Sequence, residues 1–99
     1  GYKQYSFPNP FNLQQKSAKT KIGHLLDLLE KHGYMLGVPH AKRIMPDLYE
    51  LRVRGKEELR IFYTFRKKEV ILLHAFKKQT QKTPQKEIET ALKRMRSLT

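Results

Sequence analysis

The chain has 99 residues, of which 21 are Lys or Arg and 9 are Asp or Glu, so its formal net charge at pH 7 is +12. This length predicts one small domain over residues 1–99, and the positive excess favours a polyanionic partner, nucleic acid before an acidic protein. The absence of cysteine excludes disulfides and thiol chemistry, which fits a reducing cytoplasm. No apolar run reaches the ~20 residues of a membrane span, so we predict a cytoplasmic protein without membrane contact.

The first 16 residues have the weakest pattern, although alternation over 2–7 is consistent with an edge strand that ends at Pro8. A helical apolar stripe then predicts a helix over 17–33, with Gly33 as the residue that ends it. The stripe comprises Ala18, Ile22, Leu25, Leu26 and Leu29. Lys16, Lys19 and Lys21 lie at the start of this helix, where its dipole disfavours cations, so they are either solvated or in contact with an acidic group.

Three short apolar runs predict a meander of antiparallel strands over 48–76. The runs are Leu48–Arg54, Leu59–Phe65 and Val70–Phe76. The gaps between them are short and charged, and gaps of this length join antiparallel neighbours. Residues His40–Pro46, with Lys42 and Arg43, are interpreted as a basic connector that leads into the sheet.

The period of two along the predicted strands separates an apolar face from a basic face. Tyr49, Leu51 and Val53 share the apolar face, and Glu50, Arg52 and Arg54 share the other. Arg60 on the next strand can lie beside these arginines, and Lys77 and Lys78 follow the third strand. Arginine on rigid strands provides the planar fork that phosphate recognition uses, but a solvated polar face has the same pattern.

A second helix is predicted over 84–97, with Thr83 as its N-cap and Pro84 as its first residue. Its buried positions are Ile88, Ala91, Leu92 and Met95. The element order predicts an α+β fold of two layers. In this fold an antiparallel sheet, a three-stranded meander with or without the N-terminal strand, carries helices packed on one face.

RNA cleavage by attack of its own 2′-OH needs a base and a stabilised phosphorane, and both can come from side chains. Arginine cannot be the base, which leaves Glu50, His74 or a lysine such as Lys78. Glu50 can instead orient the neighbouring arginines. The four histidines lack metal-ligand spacing, so no cofactor or metal is expected. Composition alone leaves an enzyme and a plain binding module equally open.

Two runs in the second half of the chain resemble a known family. They are LYELRVRGKEELRIFYTF over 48–65 and VILLHAFKKQTQKTPQKEIETALKR over 70–94. The pattern is similar to the phage-derived Gp49-like (HigB-like) branch of the RelE/ParE toxin superfamily. The resemblance implies a small RelE-like fold, a curved antiparallel sheet with helices on one face. It also implies a toxin of a type II toxin–antitoxin module.

The family resemblance implies roles for individual residues. Arg52, Arg60 and Lys78 match basic positions of the RelE pattern, whereas Glu50 replaces a lysine and the RelE tyrosine past the last strand has no match. We therefore expect Arg52, Arg60, Lys78 and Glu50 in catalysis. RNA-binding positions are expected at Arg54, Lys56, Lys77, Lys82, Lys42 and Arg43.

The activity implied by the family is metal-independent cleavage of mRNA on the ribosome, which inhibits translation. The implied partner is a helix-turn-helix, HigA-like antitoxin in a hetero-oligomeric complex. A ParE-like poison of DNA gyrase and a non-catalytic RNA-binding module are the alternatives.

Overall fold

The computed structural model describes residues 3–5, 16–55 and 58–98 of the chain. In chain order the elements are β1 (Lys3–Tyr5), α1 (Lys16–His32), β2 (Ala41–Met45), β3 (Leu48–Val53), β4 (Leu59–Arg66), β5 (Glu69–Lys77) and α2 (Gln85–Arg96). A short 3₁₀ turn, Gly33–Met35, follows α1. Both helices begin and end within one residue of their predicted limits, and the α+β class is confirmed. Within the described residues, neither helix has the length and apolar character needed to cross a membrane.

The sheet has the strand order β1-β5-β4-β3-β2. Strands β2 to β5 form an antiparallel meander, and β1 pairs in parallel with β5 at the far edge. The predicted edge strand near the N-terminus is thus present over its described residues. The predicted connector over 40–46 is wrong, because Ala41–Met45 forms the other edge strand. Ala41 is buried opposite Leu51, whereas Lys42 and Arg43 are exposed, so this edge strand lacks the apolar alternation that reveals a strand.

The two helices pack on opposite faces of the sheet, which corrects the prediction that both lie on one face. Leu25 and Leu29 of α1 pack in a cluster with Ile61 and Tyr63. Ala91 of α2 packs in a second cluster, with Phe62 and Phe76. Since Phe62 lies between Ile61 and Tyr63 on β4, its side chain points to the opposite face. We call the face with Ile61 and Tyr63 the α1 face and the face with Phe62 the α2 face.

The starting residue of α2 also differs from the prediction. The N-cap is Pro84, and its side chain makes no capping hydrogen bond. The Thr83 hydroxyl, predicted to cap the helix, instead donates to Glu50 Oε2 at 3.1 Å. At the end of α1, Gly33 has φ of 56°, as expected for a residue that ends a helix in the left-handed region.

The turn between β4 and β5 has an unfavourable backbone. Lys67 and Lys68 have φ of 48° and 65°, so both central residues of this two-residue turn lie in the left-handed region. Turns of this shape usually contain Asn-Gly, because a side chain at positive φ costs about 1–2 kcal/mol per residue.

Lys68→Gly is therefore expected to raise the free energy of unfolding by about 1 kcal/mol, because glycine adopts positive φ without strain. Urea denaturation measures the change. Lys68→Ala is the matched control, since it removes the same charge but keeps the steric cost. Equal stabilities of the two variants would show that the turn is not strained in the way described.

Candidate nucleic-acid interface

Glu50 is the centre of a charged cluster on the α2 face. Its residue exposure is 2%, so its carboxylate is removed from solvent. Oε1 lies 3.6 Å from Arg60 Nε and 3.9 Å from Arg52 Nε. Oε2 accepts the hydrogen bond from Thr83. An isolated buried carboxylate is strongly disfavoured, so this site depends on its two guanidinium partners.

The register of β3 and β4 brings these side chains together. Arg52 is directly opposite Arg60, and Glu50 is opposite Phe62 one step along the same face. Directly opposed side chains in an antiparallel pair have Cβ atoms about 5 Å apart, so two like charges would repel there. Glu50 lies within ion-pair distance of both arginines and offsets that repulsion.

Arg60 is an interior residue, with an exposure of only 5%. Arg60 therefore lies beside Arg52, as the sequence predicts, but below the surface of the predicted basic face. Its Nη1 donates to Glu58 Oε2 at 2.9 Å and to the Leu59 carbonyl at 3.1 Å. Arg60 thus connects the buried carboxylate of Glu50 to the half-exposed carboxylate of Glu58. In the strand register Arg60 lies between Arg52 on β3 and the buried Phe76 on β5.

Glu58 gathers further basic residues at the edge of the cluster. The hydrogen bond from Arg60 lowers the pKa of the Glu58 carboxyl from its usual value of 4.5, and partial desolvation opposes this effect. The positive charges of Arg54 and Lys78 also lower this pKa. The Lys78 backbone N–H donates to the Glu58 carbonyl at 2.7 Å, which places Lys78 next to the cluster. Three of the predicted basic residues therefore surround Glu58.

Arg52 is the arginine of the cluster that solvent can reach, with 22% of its side chain exposed against 6% for Arg60. Among the described residues, the Nε atoms of both arginines are buried without a hydrogen-bond partner. Both Nε atoms face Glu50 Oε1 at more than hydrogen-bonding distance. The Arg52 guanidinium is thus partly exposed on a rigid strand and lies next to the Glu50 carboxylate. A guanidinium placed in this way can bind phosphate oxygens.

The candidates for a general base occupy different environments. Glu50 is buried, with Oε1 near Arg60 and Oε2 hydrogen-bonded to Thr83, which favours a role in orienting the arginines over a role as the base. His74 lies in the contact between β5 and α2, where Nε2 is 2.9 Å from Glu87 Oε1 and Nδ1 is 3.3 Å from Arg94 Nη1. Its ring also stacks on Phe76. Lys78 is half-buried, and the hydrogen bond of its backbone N–H to Glu58 places it at the edge of the cluster.

The predicted RNA-binding residues are more dispersed. In the strand register Lys42 lies opposite Glu50, so this exposed residue is on the α2 face. Arg43 lies opposite Tyr49, on the α1 face. Lys77 ends β5, and Lys82 lies in the exposed segment that leads to α2. Lys56 lies outside the described residues.

The sequence interpretation missed Thr83 and Glu58 as members of the site. Thr83 precedes a proline and a helix, so its pattern was assigned to capping, and Glu58 lies in a charged turn. Within residues 3–5, 16–55 and 58–98, no group of three or more His, Asp or Glu side chains is placed to hold a metal ion.

The fold, an antiparallel meander with two helices and a basic cluster on one face, is compatible with the RelE-like class of small toxins. A profile of the phage-derived Gp49-like protein family matches residues 10–96. The chain therefore belongs to this family, the Gp49/HigB-like toxins of toxin–antitoxin modules, and an antitoxin partner follows from that membership. A search of curated proteins finds no match.

Arg60→Ala should lower the free energy of unfolding by about 3–5 kcal/mol, because it leaves the Glu50 carboxylate buried with reduced compensation. In a Glu50→Gln background the same change should cost much less, since no buried charge remains. Urea denaturation of the four proteins in this cycle measures the coupling. Arg66→Ala on the same strand is the control and should cost about 1 kcal/mol. A coupling near zero between Glu50 and Arg60 would contradict the ion pair.

Folding stability should fall with acidification through Glu58. Its pKa is lower in the folded state than in the unfolded chain, so its contribution is present above pH 4.5 and is lost as the pH falls through the folded-state value. Glu58→Gln should remove that part of the acid dependence, as measured by thermal melts from pH 7 to pH 3. A wild-type profile unchanged by Glu58→Gln would exclude the proposed pairing with Arg60.

Proposed function

We propose that this toxin is a metal-independent endoribonuclease that cleaves mRNA on the ribosome and so inhibits translation. The observation that supports this function most strongly is the partly exposed Arg52 guanidinium, held beside the buried Glu50–Arg60 pair. The net charge of +12 and the family membership also support a nucleic-acid substrate.

In the proposed reaction the 2′-oxygen of one nucleotide attacks the adjacent phosphorus. The 2′-oxygen loses its proton to a base, the P–O5′ bond breaks, and the 5′-oxygen takes a proton as it leaves. The products are a 2′,3′-cyclic phosphate and a 5′-hydroxyl. Arg52 binds the non-bridging oxygens and stabilises the charge that develops on the phosphorane. Glu50 and Thr83 act as positioning residues, because they fix the arginines without reaching the substrate.

Removal of the proton from the 2′-oxygen is assigned to Lys78. Contacts along the RNA backbone are assigned to Lys77, Lys82, Lys42 and Arg54. Lys56 and Arg43 complete the proposed RNA-binding set. Lys78 is half-buried beside Glu58, close to the arginines, whereas both oxygens of Glu50 are engaged. A lysine base predicts a cleavage rate that rises toward alkaline pH, whereas Glu50 as base predicts a rise near the pKa of a carboxylate. Glu50→Gln should then keep the shape of the pH–rate profile. Loss of an acidic limb in Glu50→Gln would reassign the base to Glu50.

The antitoxin is proposed to be a HigA-like helix-turn-helix protein that forms a hetero-oligomer with the toxin in the cytoplasm. An acidic segment laid over the basic cluster would block the substrate and associate rapidly. Antitoxin and RNA should therefore compete for the toxin. A stable complex that contains both would place inhibition elsewhere on the surface.

The decisive experiment for the function adds purified protein to translating ribosomes and maps the 5′ ends of the mRNA. Arg52→Ala should lower the cleavage rate by about 10²–10³, because one preorganised charge donor is removed. Arg96→Ala, which removes an exposed arginine at the far end of α2, is the charge control and should cleave normally.

The alternative activities give different results in the same experiment. A gyrase poison would leave mRNA intact and trap gyrase on DNA, and a non-catalytic RNA-binding module would bind mRNA without new 5′ ends. Equal cleavage by Arg52→Ala and wild type would contradict the assignment of Arg52.

A further inference from the structure

The connection between α1 and β2, residues 33–40, carries an exposed apolar surface. Among the described residues, the exposed large hydrophobic side chains are those of Met35 and Val38, which are 79% and 75% exposed. They lie three positions apart, and Pro39 beside them is exposed as well. One exposed apolar side chain is ordinary on a protein surface, whereas a group of neighbouring ones marks a contact with a partner.

A cavity of about 250 Å³ adjoins this connection, between α1 and the end of β3. Its lining includes Leu25 of α1 and Pro39, the residue that follows Val38, and the exposed part of the lining is mostly apolar. The volume lies below the ~300 Å³ at which small-molecule pockets begin. The cavity therefore suits one large apolar side chain of a partner rather than a whole small molecule.

The basic residues of the lining direct their charges away from the cavity. Lys21 Nζ donates to the Arg54 carbonyl at 2.8 Å, which leaves the methylene chain of Lys21 to cover the wall. By strand alternation Arg52 and Arg54 point to the α2 face, where Glu50 lies near Arg52 and Glu58 near Arg54. The charges thus border the cavity without entering it.

The surroundings of this apolar surface point to an acidic partner. Lys42 and Arg43 follow the lining residue His40 on the edge strand, and both are exposed. The chain carries a net charge of +12, so a second copy of the same chain would be repelled here. Membership of a toxin–antitoxin family provides a partner of another kind, the antitoxin.

We propose that the cavity, together with Met35 and Val38, is the anchor site of the antitoxin. One large apolar side chain of an antitoxin segment enters the cavity, its apolar neighbours cover Met35 and Val38, and its acidic residues lie against the edge strand β2. Arg52 borders both the cavity and the Glu50 cluster, so the same segment can continue over that cluster. The proposal rests on the antitoxin of the proposed function, and it adds an apolar contact that salt does not screen.

The test measures the affinity of the toxin for the antitoxin encoded in the same module, by isothermal titration calorimetry. Val38→Asp and Val38→Lys place opposite charges at one exposed position. If the antitoxin buries this valine, both variants should bind at least about tenfold more weakly, because the valine side chain is no longer removed from water. If charge alone attracts the antitoxin, Val38→Lys should bind as tightly as wild type. That result would overturn the anchor site.

His24→Trp tests the cavity separately from the exposed surface. His24 lines the cavity and is exposed on α1, so an indole ring there occupies part of the space without altering the core. Affinity for the antitoxin should fall several-fold. His32→Trp is the matched control, because His32 is exposed at the end of the same helix and is not part of the lining. Thermal melts check that both variants are folded, and equal affinity of the two would overturn the anchor site.

Cleavage of mRNA by the free toxin separates failure of the anchor site from failure of the proposed function. Val38→Asp should cleave like wild type, but its inhibition should need more antitoxin. If wild type cleaves mRNA and all variants bind the antitoxin equally, the anchor site is wrong and the function stands. If the Val38 variants lose affinity while mRNA stays intact, the anchor site stands and the nuclease assignment is wrong. A wild-type dimer that Val38→Asp dissociates in sedimentation experiments would make a second copy the occupant and overturn the assignment to the antitoxin.

Discussion

The buried carboxylate of Glu50 is the interaction on which the rest of the site depends. Burial of an ionised carboxylate is unfavourable by several kcal/mol unless opposite charge and hydrogen bonds surround it. The strand register supplies two guanidinium groups and the segment before α2 supplies a hydroxyl. One carboxylate therefore couples β3, β4 and the start of α2. It also allows two directly opposed arginines to coexist.

The two faces of the sheet differ in the side chains that they carry. The α1 face is packed by aliphatic and aromatic side chains, whereas the α2 face combines an aromatic cluster with the charged group. Arg60 is largely a structural residue, because its guanidinium connects two carboxylates below the surface. Arg52, on the opposite strand, keeps part of its side chain in solvent. The buried pair thus lies beside the arginine that we propose to contact the phosphate.

The sequence predicted the meander and the separation of its faces, because short charged gaps and a period of two are local signals. It did not predict the burial of Arg60, because strand alternation gives the face on which a residue lies but not whether that position is covered. Strand β2 was missed because an edge strand with exposed Lys42 and Arg43 has no apolar alternation. The role of Thr83 was misassigned because its hydroxyl has two competing partners, a helix end and a distant carboxylate, and only the fold brings the second one close.

The most direct test of the central claim is NMR observation of the arginine Nε–Hε groups, with and without a non-cleavable single-stranded RNA. If Glu50 holds Arg52 in place for a phosphate, the Arg52 signal should be resolved from the averaged position of solvated arginines in the free protein. It should then shift on addition of RNA, while the buried Arg60 signal moves little. An Arg52 signal at the averaged position that RNA leaves unchanged would contradict the account.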